Sequence, residues 1–123
     1  MTKCQPIIAV ADVAQSSKWY QELLDCKGIH GGTTFEMLMD EKGELFLCLH
    51  AWEEHDHPTM KNRTLPADNG LIIYLTVENL DAIWKKARRL KASIEKEPAI
   101  STNSHRKEFA VRDPDGYYLL ITQ

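Results

Sequence analysis

The stretch HAWEEHDHP, residues 50–58, is the densest group of metal-binding residue types in the chain. Imidazoles and carboxylates are ligands that zinc and other divalent cations use. His55 and His57 are separated by one residue, whereas a helix presents a pre-organised pair at i and i+4. We therefore interpret the stretch as a polar linker. The alternative is a loosely organised cation site formed by Glu53, Glu54, His55, Asp56 and His57.

Covalent catalysis by a serine or a cysteine is not indicated. There is no G-x-S-x-G motif, and the pair Gly31–Gly32 is too short for a phosphate-binding loop. Asp113 and Asp115 lie in the sequence DPDG, which favours a turn rather than a catalytic carboxylate pair. An odd number of irregularly spaced cysteines is typical of free thiols in a reducing cytoplasm. They are Cys4, Cys26 and Cys48. We predict no catalytic residue and no resident cofactor.

Three aromatic side chains are candidates for binding a planar ligand. Trp52 comes directly after an apolar strand-like run and could stack on an aromatic ring. Tyr74 and Tyr118 each combine an aromatic face with a hydroxyl group. The alternatives are packing at a rim or a subunit contact for Trp52, and a dimer interface for the two tyrosines.

The elements that would position these residues begin with QPIIAVAD, which predicts a strand rich in branched side chains. Asp12 is suited to cap the following helix, in which apolar residues from Val13 to Leu24 recur at helical spacing. The glycines of CKGIHGGT are expected to end this helix. TTFEMLMD, EKG and ELFLCLHAW then predict a hairpin with a glycine-containing turn.

The second half of the chain repeats this order. GLIIYLTV predicts a strand, Asn79 takes the capping place, and an apolar helix face recurs from Leu80 to Leu90. A short strand is expected to end near Pro98, and KEFAVRDPDGYYLLITQ predicts a final hairpin. We divide the single domain, 1–123, into module 1 (about 1–52), a linker (about 53–69) and module 2 (about 70–123).

Each module is thus predicted to be a βαβββ unit, and the fold class is predicted to be α+β with two tandem units. One helix covers one face of each sheet, so the two bare faces could line a cup with the helices on its outer side. Strand alternation predicts which side chains point into the cup, and a slip of one residue would invert each assignment. The predicted inward residues are Gln5, Ile7, Ala9, Leu45, Leu47, Leu49, Ile72, Tyr74, Thr76, Tyr118 and Leu120.

Composition excludes several classes of function. Hydrophobic residues make up 43% of the 123 residues, an ordinary share for a globular protein. The net charge is −3 and there is no basic stripe, so nucleic acid is not an expected partner. No apolar run approaches the roughly 20 residues of a membrane span, and no signal-peptide pattern opens the chain. We expect a cytoplasmic protein without a membrane partner.

The opening PIIAVADVAQSSKWYQELL, the ending FAVRDPDGYYLLI and the internal repeat together resemble the vicinal oxygen chelate superfamily. This superfamily includes glyoxalase I, extradiol dioxygenases and bleomycin-resistance proteins. The resemblance covers nearly the whole chain except the linker, and it implies a homodimer. In metal-dependent members the ligands come from the start of the first strand and from the last strand of each module. The corresponding residues here are Gln5, Leu47, Ile72 and Leu120.

Only Gln5 in this set carries a donor atom, whereas a bound metal ion needs several oxygen or nitrogen ligands. We therefore predict no metal site. The favoured function is metal-independent binding of a small apolar or aromatic drug or metabolite, as the resemblance to bleomycin-resistance proteins implies. The predicted ligand-binding residues are Gln5, Ile7, Leu47, Trp52, Ile72, Tyr74, Thr76, Tyr118 and Leu120.

Two other functions stay open at this point. One is a metal-dependent lyase, isomerase or dioxygenase with displaced ligands, for which Gln5, His50 and a linker residue are candidates. The other is a domain that serves only assembly, because its cup is filled by its own side chains.

Overall fold

The computed structural model describes residues 3–54, 57–61, 63–66 and 68–123. The chain divides into two compact units, residues 1–66 and residues 67–123, with the boundary inside the predicted linker. In the described residues each unit contains one α-helix and one four-stranded sheet. Neither of these helices is long and apolar enough to cross a membrane.

Unit 1 is a βαβββ module. Its strands pair in the order β1-β4-β3-β2, with β1 parallel to β4 and the other pairs antiparallel. A single turn of 3₁₀ helix, Pro58–Met60, follows the last strand. The elements are β1 (Ile7–Val10), α1 (Val13–Leu24), β2 (Lys27–Gly28), β3 (Phe35–Met39) and β4 (Leu45–Ala51).

Unit 2 repeats the same plan, with strand order β5-β8-β7-β6 and β5 parallel to β8. The predicted α+β class with two tandem βαβββ modules is therefore confirmed. The elements are β5 (Ile73–Thr76), α2 (Leu80–Arg89), β6 (Ser93–Ile100), β7 (Lys107–Arg112) and β8 (Tyr118–Thr122).

Both helices begin at the predicted caps. The Asp12 carboxylate accepts a hydrogen bond from the Gln15 backbone N–H at 3.0 Å, and the Asn79 side chain accepts one from Ala82 at 3.1 Å. These bonds satisfy N–H groups that lack partners in the first helical turn. The prediction that glycines end α1 is wrong, because Asp25 adopts the left-handed backbone at φ 57°. A short polar side chain tolerates this conformation better than most residues do.

The second strand of unit 2 is longer than expected. β6 runs through Pro98 to Ile100, whereas the sequence predicted an end near the proline. Among the residues that the structure describes, β6 pairs with β7 alone and lies at the edge of the sheet, and its register shifts between Lys96 and Ala99. Proline lacks the N–H that a ladder needs, so an edge strand with an irregular register is where a sheet tolerates it.

In unit 1 the sheet face that packs on α1 is identified by Glu36, which lines a cavity together with Gln21 of the helix. Glu36 pairs with Leu49, and Leu38 pairs with Leu47, across β3 and β4. Paired residues share a face. Leu47 and Leu49 are 1% and 0% exposed, so they belong to the core beneath α1. The prediction that these two leucines point away from the helix is wrong.

The physical reason is a break in the alternation of β4. Met39 lies opposite Leu45 and Leu38 lies opposite Leu47, so Phe46 is an extra residue in β4. Such a bulge shifts the register by one residue. The facing of side chains beyond the bulge therefore cannot be obtained by counting alternate residues along the strand. The face turned away from α1 is called the open face of unit 1. It carries Ile7, Ala9, Phe35, Met37, Cys48 and His50.

In unit 2 the alternation is regular. Trp84 of α2 contacts Phe109 of β7 with ring centroids 5.2 Å apart, and Phe109 pairs with Ile121, so these residues mark the helix side. The opposite side is called the open face of unit 2. It carries Tyr74, Thr76, Glu108, Ala110, Arg112, Tyr118, Leu120 and Thr122, in agreement with the predicted facing of the β5 and β8 residues.

The assignment of faces in unit 1 predicts unequal effects of two truncations. Leu47→Ala removes a fully buried side chain and should lower the free energy of unfolding by about 2–4 kcal/mol. Ile7→Ala affects a side chain that is 48% exposed on the other face, and should cost less than about 1 kcal/mol. Urea denaturation of both variants measures the difference, and equal losses would contradict the register described here.

Candidate functional site

The structure brings several predicted ligand-binding residues together on the open face of unit 2. Ile72, Tyr118 and Leu120 line one cavity. Tyr74 pairs with Leu120, and Thr76 pairs with Thr122, so both also lie on this face. Tyr74 and Ile72 are 54% and 58% exposed, which is unusual for large apolar side chains.

The cavity has a volume of about 310 Å³. This volume lies at the lower end of the range for small-molecule sites, and the cavity is shallow and widely open to solvent. Its apolar wall is formed by Leu71, Ile72 and Leu120, with Tyr118 as an aromatic wall. The remaining lining residues are charged: Asp68, Lys96, Glu108 and Arg112.

Of these charged residues, Arg112 makes the largest number of the polar contacts that the structure describes. Its Nη1 donates to the Asp68 carboxylate and, at 2.9 Å, to the Gly116 carbonyl oxygen, while its Nε donates to Glu95 at 3.0 Å. The guanidinium also lies 5.0 Å from the centroid of the Tyr118 ring. The hydrogen bond to Glu95 and the charge of Asp68 raise the pKa of Arg112 above its ordinary value. Arg112 is therefore a fixed cation that holds Tyr118 in place.

A second ion pair lies in the same cavity. Lys96 Nζ is 3.2 Å from Glu108 Oε1. Glu108 is only 6% exposed, whereas the Lys96 side chain is 50% exposed. The pair thus joins a buried carboxylate on β7 to a solvated ammonium on the edge strand β6.

The described residues around the cavity include no histidine, cysteine or serine, and its charged or ionisable groups are carboxylates, an ammonium, a guanidinium and a phenol. Hydrocarbon and an aromatic ring provide a surface for a ligand body, and the charged residues can orient its polar groups.

The open face of unit 1 carries a different set of groups. Cys48 and His50 are 4% and 2% exposed. The His50 Nδ1 is 2.7 Å from the Ala51 carbonyl oxygen, and its ring contacts those of Phe35 and His57 at centroid distances of 6.0 and 5.0 Å. Burial raises the pKa of the Cys48 thiol, so it stays protonated near neutral pH.

The other four predicted ligand-binding residues belong to unit 1. Gln5 is exposed and precedes β1, and Ile7 lies on the open face of unit 1. Trp52 is half-buried in the turn that follows β4. Leu47 is packed beneath α1 and is not accessible to a ligand. Of the predicted set, Ile72, Tyr118 and Leu120 line the unit 2 cavity, and Tyr74 and Thr76 lie on the same face of its sheet.

The repeat corrects one of the positions where the resemblance implies a metal ligand. Cys48 pairs with Ile7 in the first sheet as Leu120 pairs with Tyr74 in the second. Since Ile7 and Tyr74 are equivalent in the repeat, the counterpart of Leu120 is Cys48. The assignment of this position to Leu47 was wrong by one residue.

The corrected positions do not fit a metal ion. They hold an amide, a thiol and two hydrocarbon side chains: Gln5, Cys48, Ile72 and Leu120. Even a catalytic zinc usually keeps three protein ligands. Across the described residues no three His, Cys, Asp or Glu side chains are grouped to hold a metal. His55 and Asp56 of the predicted polar linker lie outside the described residues.

Glu36 is a buried carboxylate that the sequence did not reveal. It is 5% exposed and accepts backbone hydrogen bonds from His30 at 2.6 Å, Gly31 at 2.9 Å and Met37 at 2.8 Å. Burial by itself would raise the pKa of Glu36, but these hydrogen bonds together hold the pKa below its ordinary value. The carboxylate fastens the loop before β3. It also forms part of a cavity of about 520 Å³ beside α1.

The lowered pKa of Glu36 predicts a pH-dependent contribution to stability. A carboxyl group whose folded-state pKa is depressed stabilises the fold fully above its unfolded-state pKa, and this stabilisation is lost as the pH falls through the folded-state pKa. Glu36→Gln should therefore lower the free energy of unfolding by about 1–3 kcal/mol at neutral pH, and by less in acid.

Urea denaturation at neutral pH and at a pH well below 4.5, the ordinary value, measures this difference. Glu41→Gln, at an exposed loop position, is the control and should change little at either pH. An equal loss for Glu36→Gln at both pH values would rule out the charged carboxylate as the cause.

Sequence reasoning missed the charged residues of the unit 2 cavity. The alternation of β7 contained a usable signal, because Glu108, Ala110 and Arg112 follow the same period as Tyr118 and Leu120. No comparable signal marks Asp68 or Lys96, which lie in a turn and on an irregular edge strand.

Comparison with known proteins agrees with this architecture. The family model described as the Glyoxalase/Bleomycin resistance protein/Dioxygenase superfamily matches residues 4–121. The chain belongs to this superfamily, as its resemblance to the vicinal oxygen chelate proteins implied. No significantly similar protein was found among curated proteins.

Several solved structures share the fold. TioX from Micromonospora sp. ML1 is 14% identical with a TM-score of 0.78, and the match covers 100% of this chain and 98% of TioX. A possible glyoxalase from Bacillus cereus is 19% identical with a TM-score of 0.67, covering 100% and 99% of the two chains. A conserved domain protein is 23% identical with a TM-score of 0.76, covering 99% and 97%. At these identities the likeness shows the fold alone.

Proposed function

We propose that this protein binds a small apolar or aromatic molecule, a drug or a metabolite, without a metal ion. The observation that carries the proposal is the cavity of unit 2, where Ile72, Leu120 and Tyr118 form an apolar and aromatic surface beside charged groups. A concave apolar surface with a few convergent polar groups is the usual form of a ligand site. Burial of such a ligand would also cover side chains that are exposed in the free chain.

Metal independence is supported by the donor set. The positions that would carry ligands in a metal-dependent relative hold Ile72 and Leu120 in unit 2, and hydrocarbon cannot replace the hydration shell of a cation. A metal-dependent lyase, isomerase or dioxygenase is the alternative, and it would need ligands from the open face of unit 1, such as Cys48 and His50. The free thiols Cys4, Cys26 and Cys48 suit a protein of the reducing cytoplasm.

The first prediction from this function concerns metal content. Protein purified without chelator should contain no stoichiometric zinc, nickel, manganese or iron, and a chelator should leave the melting temperature unchanged. Elemental analysis and thermal denaturation provide the measurements. A stoichiometric metal whose removal lowers the melting temperature would favour the metal-dependent enzyme instead.

The second prediction concerns the place of binding. In a screen of aromatic metabolites and antibiotics, a ligand should raise the melting temperature and shift backbone NMR signals of β5, β7 and β8. Tyr118→Ala and Leu120→Ala should each weaken binding by about tenfold, because each removes apolar contact area.

Ile94→Ala is the matched control, since Ile94 pairs with Val111 on the helix side of the same sheet. It should leave affinity unchanged. Signal shifts confined to unit 1, or equal losses in all three variants, would contradict the assignment of the site to the open face of unit 2.

We also propose that the protein acts as a homodimer. Leu71, Ile72 and Tyr74 at the β5 edge are exposed apolar residues that follow one another closely. An apolar patch of this kind commonly marks a contact with another chain. Light scattering of the eluted protein tests this proposal. The expected mass is twice the 14.1 kDa of the chain, and a particle of 14.1 kDa at high concentration would contradict it.

A further inference from the structure

Glu108 is a buried residue that lines the unit 2 cavity. Among the described residues, only one of its two carboxylate oxygens has a hydrogen-bond partner. Its Oε1 is 3.2 Å from Lys96 Nζ. Within the part of the chain that the structure describes, its Oε2 has no hydrogen-bond partner. Glu108 is 6% exposed as a residue and lines the cavity, and its Oε2 is accessible from the cavity, because among the described residues only Ser16 Oγ is a buried side-chain atom without a partner. A hydrogen-bond donor that enters the cavity can therefore reach this oxygen, and a hydrogen bond to a charged group is among the stronger ones.

The neighbours of Glu108 show what such a donor would be attached to. Thr122, which pairs with Glu108, donates its hydroxyl to the Lys107 carbonyl oxygen at 3.1 Å. Next along the same face come Ala110 and Leu120, which pair with each other. A molecule whose donor group reached Glu108 from the cavity would have its body on this hydrocarbon, one strand step away from the carboxylate.

The charges around the cavity favour a cationic group over an anionic one. In the lining, Asp68 and Glu108 balance Arg112 and Lys96, and Glu95, which pairs with Arg112 from outside the lining, adds a third carboxylate. Arg112 already donates to two carboxylates and to a backbone carbonyl. An incoming anion would thus meet an excess of negative charge, whereas an ammonium group would be attracted.

We propose that the cavity selects small aromatic amines, with the ammonium group donating to Glu108 Oε2 and the ring lying on Leu120 and Ile72. Glu108 is then the residue that determines specificity. This inference rests on the proposed function, because it names the class of ligand for the same cavity. Lys96 competes with the ligand for the carboxylate, and its exposed position on the edge strand lets it move aside.

Three probes that share a ring and differ in their polar end test this inference: phenethylamine, phenethyl alcohol and hydrocinnamate. Each is titrated into the full chain while backbone NMR signals of unit 2 are followed. The amine should bind at least about tenfold more tightly than the alcohol, because a hydrogen bond to a charged group adds to the shared apolar contact. Hydrocinnamate should bind most weakly.

Two variants separate recognition by Glu108 from a structural role. Glu108→Gln should weaken amine binding by about tenfold and leave alcohol binding unchanged. Lys96→Met should strengthen amine binding by about threefold or more, since it removes a competing cation. Glu78→Gln removes the same charge from an exposed position that does not line the cavity, and it is the matched control.

The outcomes distinguish this inference from the proposed function. Equal affinities for amine and alcohol, both weakened by Tyr118→Ala, would overturn the role of Glu108 and leave small-molecule binding at the cavity intact. If none of the three probes shifts the backbone NMR signals of unit 2, aromatic amines are not the ligand class. Whether the cavity binds any other small molecule is then decided by the screen of aromatic metabolites and antibiotics. If Glu108→Gln does not fold, unchanged or weaker amine binding by Lys96→Met overturns the inference.

Discussion

The apolar layer between each helix and its sheet is the constraint on which the rest of the structure depends. In unit 2, Trp84 contacts Phe109 in this layer, and Leu119 and Ile121 are fully buried there. Successive strand residues point to opposite faces, so burying one set commits the other set to the open face. Packing on the helix side of the sheet therefore fixes the position of the cavity, and the side chains that line the cavity are not part of that packing.

The two units use the same backbone plan for different chemistry. Glu36 and Phe109 occupy equivalent places, each paired with a buried residue of the last strand on the helix side. In unit 1 this place holds a carboxylate that binds three backbone N–H groups of the loop before β3 and of β3 itself. In unit 2 it holds an aromatic ring of the core, and the buried carboxylate, Glu108, is displaced to the open face. Duplication thus preserved the fold while the polar groups diverged.

Superfamily membership fixes the fold of this chain but does not assign a reaction to it. The chemistry follows from which side chains occupy the open faces. In unit 2 these are hydrocarbon, tyrosine and two ion pairs. In unit 1 they include Cys48 and His50, which are both buried. The His50 Nδ1 also lies within hydrogen-bond distance of the Ala51 carbonyl oxygen. The proposed function therefore rests on unit 2.

The sequence by itself determined the order of elements, the tandem repeat and the capping of both helices by Asp12 and Asn79, because these depend on local hydrogen bonds and on the period of apolar residues. Only the tertiary structure decided the facing of Leu47, since the extra residue Phe46 shifts the register through pairing with another strand. It alone also brought the cavity charges of three separate segments together, Asp68, Lys96, Glu108 and Arg112. Register and contacts between distant segments are set by the packing of whole elements, and no local pattern of residue types encodes them.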